Sequence, residues 1–223
     1  MEAQRVADYH MDERSIDLDA IQKRLETTDL IPSQKVLLDG LSDKIVALQK
    51  AELASLADLR IALKSPKTLA ALSKQTGIDT NYLQVLRRTL SGFFPKPRPL
   101  SEFAWLDPGL LASLKKAGMA NSQKLFEATC DGLSELAKET GADAGDLEEL
   151  GAIANLCRIQ WVSPSYGRVL LAAGTANAAA VAKADPQILF QAVADANKVG
   201  KFFKGTVGLR DIGRLVQAAA YVP

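Results

Sequence analysis

Histidine, cysteine and tryptophan are scarce in this chain of 223 residues, which has one, two and two of them. With His10 as the sole histidine, a Ser-His-Asp or Cys-His arrangement has no support, and no group of residues has the spacing of metal ligands. We therefore predict a non-enzymatic protein without catalytic residues, cofactor or metal. Cys130 and Cys157 lie outside any C-x-x-C pattern, so we expect buried, reduced thiols of a cytoplasmic protein.

The chain also lacks an excess of charge and a long apolar run. Its 27 Lys and Arg against 26 Asp and Glu leave a net charge of +1, so no global field attracts nucleic acid or an anionic membrane. No apolar run approaches the roughly 18 residues of a membrane span. The acidic start MEAQRVADYHMDERSIDLD is not typical of a signal peptide. We expect a cytoplasmic protein that does not contact a membrane.

Segments typical of β-strands are missing as well. Alternating runs rich in Val, Ile and Thr do not occur, whereas Ala, Leu, Lys and Glu are frequent, which favours helix throughout. A polar residue before a proline predicts a helix start, because its side chain caps the helix and proline fills the first helical position. Four such pairs occur: Ser65-Pro66, Asp107-Pro108, Ser163-Pro164 and Asp185-Pro186. The predicted fold class is all-α.

One segment of the chain is repeated after 56 residues, which predicts repeated units. WLDPGLLASLKKAG, residues 105–118, returns as WVSPSYGRVLLAAG, residues 161–174. The matched positions are Trp105 and Trp161, Pro108 and Pro164, and Gly118 and Gly174. Each tryptophan precedes a helix cap by two residues, where an apolar side chain packs back onto the helix it introduces. We therefore predict that both indoles are buried structural residues rather than ligand-stacking ones.

A second self-match has a shift of 64 residues. LAALSKQTGIDTNYLQVL, residues 69–86, agrees with LSELAKETGADAGDLEEL, residues 133–150. We predict that Gly77 and Gly141 each end one helix and that Asp79 and Asp143 cap the next. Three copies follow, at residues 31–94, 95–158 and 159–223, after an N-terminal helical arm of residues 1–30. Each copy is too small to bury its own leucines, so neighbouring copies should pack together.

The repeated unit resembles the helix-hairpin-helix motif, whose phrase runs L-P-G-h-G. LDPGLLASLKKAGMANSQKL is also similar to the tandem hairpins at the C-terminal end of bacterial RNA polymerase alpha subunits. The whole chain resembles an uncharacterised bacterial family, a domain of unknown function. The segments that carry this resemblance are DLIPSQKVLL, FPKPRPLSEF, RIQWVSPSYGRVLLAAG and GLRDIGRLVQAAAYVP. The resemblance implies tandem, degenerate helix-hairpin-helix-like repeats packed into a compact helical array, and it implies no function.

The turn of the motif departs from the DNA-binding pattern in two copies. In helix-hairpin-helix proteins that bind DNA, two glycines let the backbone approach a phosphate. Those positions hold Trp105 and Asp107 in the second copy and Trp161 and Ser163 in the third, so we expect these hairpins to be structural. The first copy keeps a similar turn, with Gly40, Ser42 and Lys44. We favour a structural role there too, with phosphate binding as the alternative.

Two stretches combine basic residues with phenylalanines. The first contains Arg87, Arg88, Lys96 and Arg98, and the second contains Lys198, Lys201, Lys204, Arg210 and Arg214 with Asp211 as the single acid. Interleaved cations and aromatic rings can hold a single strand or a phosphate backbone. We favour the view that the phenylalanines are core anchors and the lysines are solvated.

Two classes of function remain. The first is a non-enzymatic helical-repeat adaptor or scaffold that binds an unidentified protein partner or a second copy of itself. The alternative is a helix-hairpin-helix-type protein that contacts the phosphate backbone of DNA or RNA. Convergence of the basic stretches with Gly40 and Lys44 on one face would favour the alternative, and their scatter would favour the adaptor.

Overall fold

A computed structural model describes residues 8–223, so the first residues of the predicted arm and of the acidic start lie outside the described residues. The described residues form two compact units. The N-terminal unit is Met11–Phe93, and the C-terminal unit combines residues 8–10 with Phe94–Pro223. Both units are helical, and residues 8–223 contain isolated bridges but no β-strand. The predicted all-α class is confirmed, while the division into three copies stays a prediction.

The N-terminal unit consists of short helices with fully buried leucines, such as Leu25 and Leu83. Helix α1 packs on α2, α4 packs on α5, and α5 also contacts a 3₁₀ helix. The bounds are α1 Leu18–Thr27, the 3₁₀ helix Pro32–Leu38, α2 Leu41–Lys50, α3 Leu56–Ala62, α4 Pro66–Thr76 and α5 Thr80–Phe93. The guanidinium of Arg24 lies 4.0 Å from the ring centroid of Phe93.

The C-terminal unit has one continuous apolar core that includes Phe103, Phe126 and Ile212. Its bounds are a 3₁₀ helix Leu100–Glu102, α6 Pro108–Lys116, α7 Ser122–Thr140, α8 Ala144–Leu156, α9 Pro164–Ala172, α10 Ala178–Ala182, α11 Pro186–Gly200 and α12 Leu209–Ala219. Helices α7 and α8 pack extensively against each other, α8 packs on α9, and α11 packs on α9 and α12. This arrangement places α9, α11 and α12 side by side.

The predicted caps before proline are confirmed at all four helix starts. The side chains of Ser65, Asp107, Ser163 and Asp185 each accept a hydrogen bond from a backbone N–H of the following turn. Proline occupies the first turn of the helix in each case. These local contacts require only residues within one helical turn, so the sequence alone predicts them.

The two halves of the 56-residue match have the same local geometry from the helix cap onward, although Trp161 has a left-handed φ and Trp105 does not. Helices α6 and α9 both start at the matched proline and contain nine residues. Gly118 and Gly174 follow them in the left-handed conformation, with φ of 81° and 88°. Asn121 and Asn177 then cap the next helix of each copy through their side-chain oxygens. The local structure therefore repeats along with the sequence.

The 64-residue match behaves in the same way. Gly77 ends α4 with φ of 73° and Gly141 ends α7 with φ of 69°. Asp79 accepts hydrogen bonds from the backbone N–H groups two and three residues later, and Asp143 does the same. The predicted roles of these four residues are confirmed.

The prediction that both tryptophans are buried is wrong for Trp161. Trp105 is half-buried against Phe103, with ring centroids 5.4 Å apart, but Trp161 is 47% exposed. Its neighbours Ile159 and Val162 are both fully buried. These two side chains fill the core, and a left-handed turn with φ of 71° at Trp161 lies between them.

The prediction for the cysteines is confirmed for Cys157, which is buried, and wrong for Cys130, which is exposed. Helix α7 is kinked at Gly132, where φ is −157° and ψ is 44°. Cys130 stands just before this kink and lines an open depression together with Thr129 and Glu148. Burial raises the pKa of Cys157 to about 12, and partial burial together with the nearby Asp131 raises the pKa of Cys130.

Candidate functional site, an aromatic cleft beside Trp161

A cleft of about 320 Å³ opens in the C-terminal unit. It lies between the turn before α9, the first turns of α9, the loop after α11, and α12. Its lining residues are Trp161, Tyr166, Phe203, Thr206, Val207, Asp211, Arg214 and Leu215. Three aromatic side chains and two opposite charges therefore line one concave surface, a combination typical of binding sites.

Trp161 forms one wall of the cleft in an unfavourable backbone conformation. A left-handed φ is an outlier for a bulky residue other than glycine, and it costs on the order of 1–2 kcal/mol. The guanidinium carbon of Arg214 lies 4.6 Å from the centroid of the indole ring, which is the geometry of a cation–π contact. Strain of this kind persists where the surroundings impose it, often at functional sites.

Tyr166 forms the floor of the cleft and has an unpaired hydroxyl group. The side chain is 7% exposed, and its ring centroid lies 5.1 Å from that of Phe203. Within the described part of the chain, the buried Oη has no hydrogen-bond partner. Burial raises the pKa of Tyr166 to about 12, and the negative charge of Asp211 adds to this effect. The hydroxyl is therefore a neutral donor near the charged side of the cleft.

Arg214 and Asp211 supply the charges of the cleft from the same face of α12, three residues apart. The Nε atom of Arg214 is buried and lacks a hydrogen-bond partner among residues 8–223. The carboxylate of Asp211 accepts a hydrogen bond of 2.9 Å from the backbone N–H of Gly208 at the start of α12. Two unpaired donors are therefore buried in residues that line the cleft, and the carboxylate of the cleft already caps a helix.

The loop after α11 holds the third aromatic residue in place. Lys201 ends α11 with a left-handed φ of 50°. The side-chain amide of Asn197 donates a hydrogen bond of 2.8 Å to the backbone carbonyl of Phe203 and accepts one of 2.9 Å from its backbone N–H. This bidentate contact fixes Phe203 between the cleft and a second cavity of about 80 Å³.

Trp105, the equivalent tryptophan of the second copy, is covered by an arginine side chain. The guanidinium of Arg168 lies between Trp105 and Phe202, 4.5 and 4.3 Å from the two ring centroids. Desolvation in this stack lowers the pKa of Arg168. Both tryptophans therefore stack on an arginine, but Trp161 alone lines the cleft.

The structure brings the three residues of the first predicted hairpin together, with their polar groups engaged inside the N-terminal unit. Gly40 has the left-handed φ of 57° that such a turn needs. The ammonium of Lys44 donates to the backbone carbonyl of Asp39 and lies 4.5 Å from the ring centroid of Tyr82. A Cβ at Gly40 would lie 3.2 Å from Lys44 Nζ, so this ammonium occupies the space beside the glycine. The hydroxyl of Ser42 accepts a 3.0 Å bond from a glutamine of α1.

The remaining predicted nucleic-acid residues are divided between the two units. Arg87 and Arg88 lie on α5, half-buried and exposed respectively. In the C-terminal unit, Lys96, Lys201 and Lys204 are exposed. Arg98 is half-buried and pairs with a glutamate four residues later, at 3.7 Å.

Sequence reasoning missed Tyr166 and the cleft itself. The interleaved cations and phenylalanines of residues 198–214 were the available signal, because Phe203, Asp211 and Arg214 of that stretch line the cleft. Nothing in the sequence indicated that Tyr166, one turn after the Trp161 turn, would meet them.

Buried Arg158 was also not predicted as a structural residue. It is 4% exposed and stacks on Phe126 at 4.5 Å. Its guanidinium donates to backbone oxygens of Asp8, Tyr9 and Pro223. Arg158 therefore joins both ends of the described chain to the C-terminal core.

The described residues contain neither a cluster of metal ligands nor a membrane-spanning helix. Among residues 8–223, no group of three or more His, Cys, Asp and Glu side chains could hold a metal ion. In the same part of the chain, no helix has the length and apolarity to cross a membrane.

The chain matches one protein family by sequence. No curated protein and no solved structure matches it. A family described as "Domain of unknown function (DUF4332)" matches residues 108–222, just over half of the chain and a span from the start of α6 to beyond the end of α12. The Trp161 cleft lies wholly within this span. The chain therefore belongs to the DUF4332 family.

Proposed function

We propose that this protein is a non-enzymatic helical adaptor that binds a partner protein at the Trp161 cleft. The observation that carries the proposal is the exposed, left-handed Trp161 beside two buried donors without partners. The indole is 47% exposed on a strained backbone, and a bound partner that covers the ring would bury this apolar surface.

The composition of the cleft fits a protein interface. Trp, Tyr and Arg are the residues in which interface binding energy concentrates, especially within concave pockets. Trp161, Tyr166 and Arg214 supply all three within one cleft. The single histidine and the two isolated cysteines offer no catalytic arrangement, which supports a binding role over catalysis.

Tandem helix-hairpin-helix-like repeats are part of the same proposal. Their support is the matching helix ends and caps of both self-matches, including the paired Gly118 and Gly174 and the paired Asp79 and Asp143. Trp161 adopts a left-handed φ at a position where the motif has glycine, whereas Trp105 at the equivalent position does not, so this turn supports the hairpin in the third copy and not in the second. A bacterial origin and a cytoplasmic location stay predictions from the sequence.

Nucleic-acid binding is less well supported by the local contacts. Lys44 is engaged with Asp39 and Tyr82, and Arg98 with Glu102. Phosphate binding gains affinity from released counterions, and these two cations are already partly neutralised or hydrogen-bonded within the chain.

A peptide display selection on the full chain tests the adaptor proposal. Random peptides are selected on the wild type, and each selected peptide is then measured against Trp161→Ala and against Arg168→Gln. Arg168 is the matched control because it stacks on the other tryptophan outside the cleft. We expect peptides that lose at least tenfold in affinity with Trp161→Ala and keep it with Arg168→Gln. If no selected peptide depends on Trp161 while oligothymidylate or duplex DNA binds at about 50 mM salt, the adaptor is rejected in favour of nucleic acid.

A further inference from the structure

The loop between α11 and α12, residues 201–208, lies against α9 through two adjacent aromatic rings. The ring centroid of Phe202 is 4.3 Å from the guanidinium carbon of Arg168, and that of Phe203 is 5.1 Å from the ring centroid of Tyr166. Arg168 and Tyr166 both belong to α9. Contacts between side chains therefore hold the loop on this helix.

Hydrogen bonds attach the loop to the rest of the unit at one residue. Within residues 202–207, Phe203 alone has hydrogen-bond partners in the described chain, and both are atoms of the Asn197 side chain. All of residues 201–208 are exposed or half-buried. Segments with little burial and few hydrogen bonds to the rest of the protein open most readily.

Both ends of the loop suit a hinge. Lys201 has a left-handed φ of 50°, which is unfavourable for a residue with a side chain, so relief of this conformation offsets part of the cost of moving the loop. At the other end, Gly208 precedes α12, and glycine accepts a wide range of backbone angles. A few residues at the ends of elements are what a hinge motion requires.

The ring of Phe203 separates two cavities. It lines both the cleft of about 320 Å³ and the second cavity of about 80 Å³. The walls of the second cavity are mostly apolar and include Phe190 and Val169, which is 1% exposed. Movement of Phe203 away from Tyr166 would join this cavity to the cleft and expose its apolar walls to water. Because that exposure is unfavourable, the closed form is the major state of the unbound chain.

We propose that residues 201–208 are a gate whose opening moves Phe203 away from α9 and joins the apolar cavity to the cleft. Asn197 holds the gate closed through its two hydrogen bonds. The gate itself is a property of the unbound chain. As a regulator of partner binding it rests on the proposed adaptor function, because a partner that fits the open form binds only the fraction of molecules in which the gate is open.

The test measures access to the second cavity by thiol labelling of the full chain. Val169→Cys places a thiol on a wall of that cavity, and cysteine behaves there as a small apolar residue. Cys157 is the internal reference, because it is fully buried in the core and lines neither cavity. The native protein is treated with iodoacetamide, and both sites are quantified by mass spectrometry. We expect the introduced thiol to react about tenfold faster than Cys157 or more, because local opening is more frequent than unfolding of the core.

Two variants weaken the closed form, and a third is the matched control. Asn197→Ala removes both hydrogen bonds of Phe203 and should raise the labelling rate about tenfold, the equivalent of two hydrogen bonds. Gly205→Ala should raise it as well, because a Cβ at this position would overlap the ring of Phe203. Gly213→Ala, in α12, should leave the rate unchanged, because a Cβ there would meet no atom within 4 Å.

The gate and the adaptor function fail in different experiments. Labelling of the introduced thiol at the rate of Cys157, or a rate that neither Asn197→Ala nor Gly205→Ala raises, would overturn the gate and leave the adaptor function with a rigid cleft. If labelling behaves as expected and no selected peptide depends on Trp161, the gate stands and the adaptor function is wrong.

Discussion

Replacement of Trp161 by glycine should be less destabilising than its replacement by alanine, which reverses the usual order of these two residues. Trp161 is 47% exposed and has φ of 71°. Truncation of a buried aromatic residue costs about 3–5 kcal/mol, so a half-exposed indole corresponds to about 2 kcal/mol. Alanine keeps the Cβ that makes the left-handed conformation unfavourable, whereas glycine relieves strain of about 1–2 kcal/mol.

Glycine also carries a penalty of its own, because it has more conformational freedom to lose on folding. This penalty is roughly 0.5–1 kcal/mol relative to alanine. The net expectation at position 161 is that Trp161→Ala lowers the free energy of unfolding by about 2 kcal/mol and Trp161→Gly by about 1 kcal/mol.

Trp105 provides the matched control at the corresponding position of the other copy. Among the described residues, the non-glycine residues with positive φ are Glu52, Trp161 and Lys201, so Trp105 has no such strain to relieve. Trp105→Gly should therefore be less stable than Trp105→Ala by about 0.5–1 kcal/mol. The sign of the difference between glycine and alanine should be opposite at the two positions.

Denaturant unfolding of the four variants measures these differences. Both tryptophans belong to the C-terminal unit, so each variant keeps one indole that reports by fluorescence on the unfolding of the same unit. If alanine is the more stable substitution at both positions by a similar amount, Trp161 is not strained and the proposed binding role of the cleft loses its main support.

Three further predictions concern single groups. Tyr166→Phe should raise the free energy of unfolding at pH 7 by about 1 kcal/mol, because it removes a buried hydroxyl without a partner. The pKa of Tyr166 is raised from 10.0 to about 12, so the folded state favours the neutral hydroxyl. Because the unfolded chain ionises this hydroxyl at a lower pH than the folded chain, the free energy of unfolding falls between pH 10 and 12. Tyr166→Phe should lack this part of the alkaline fall, and identical pH curves would contradict it. Asp143→Ala should destabilise the chain by about 1 kcal/mol through loss of the α8 cap, whereas Asp131→Ala, at an exposed non-capping site, should not. Iodoacetamide should label Cys130 in the native protein and Cys157 after denaturation alone, as mass spectrometry of the peptides will show; native labelling of Cys157 would refute its burial.

Local hydrogen bonding explains why so much of the helix pattern was predictable. The caps at Asp107 and Ser163 and the left-handed glycines at 118 and 174 depend on contacts within one turn of the chain. Residue identity fixes such contacts with little influence from the rest of the fold. The match to a domain of unknown function over residues 108–222 supports that part of the resemblance, since both depend on the order of residues, while the helix-hairpin-helix repeats and the bacterial origin stay predictions.

Burial and binding geometry depended on residues far apart in the sequence. The sequence placed both tryptophans in one repeated position, but the fully buried Ile159 and Val162 exclude Trp161 from the core. The sequence indicated that Lys44 could bind a phosphate, but in the structure its ammonium lies 4.5 Å from the ring centroid of Tyr82, which belongs to another helix.

The sequence by itself determined the helical class, the helix ends and the repeated local turns of this protein, because each of these follows from interactions between residues three to five positions apart. Only the tertiary structure decided which side chains share a surface. Tyr166 from α9, Phe203 from the loop after α11 and Arg214 from α12 line one cleft because those helices pack side by side. Such packing depends on the shape and volume of the whole core, and no local pattern in the sequence encodes it.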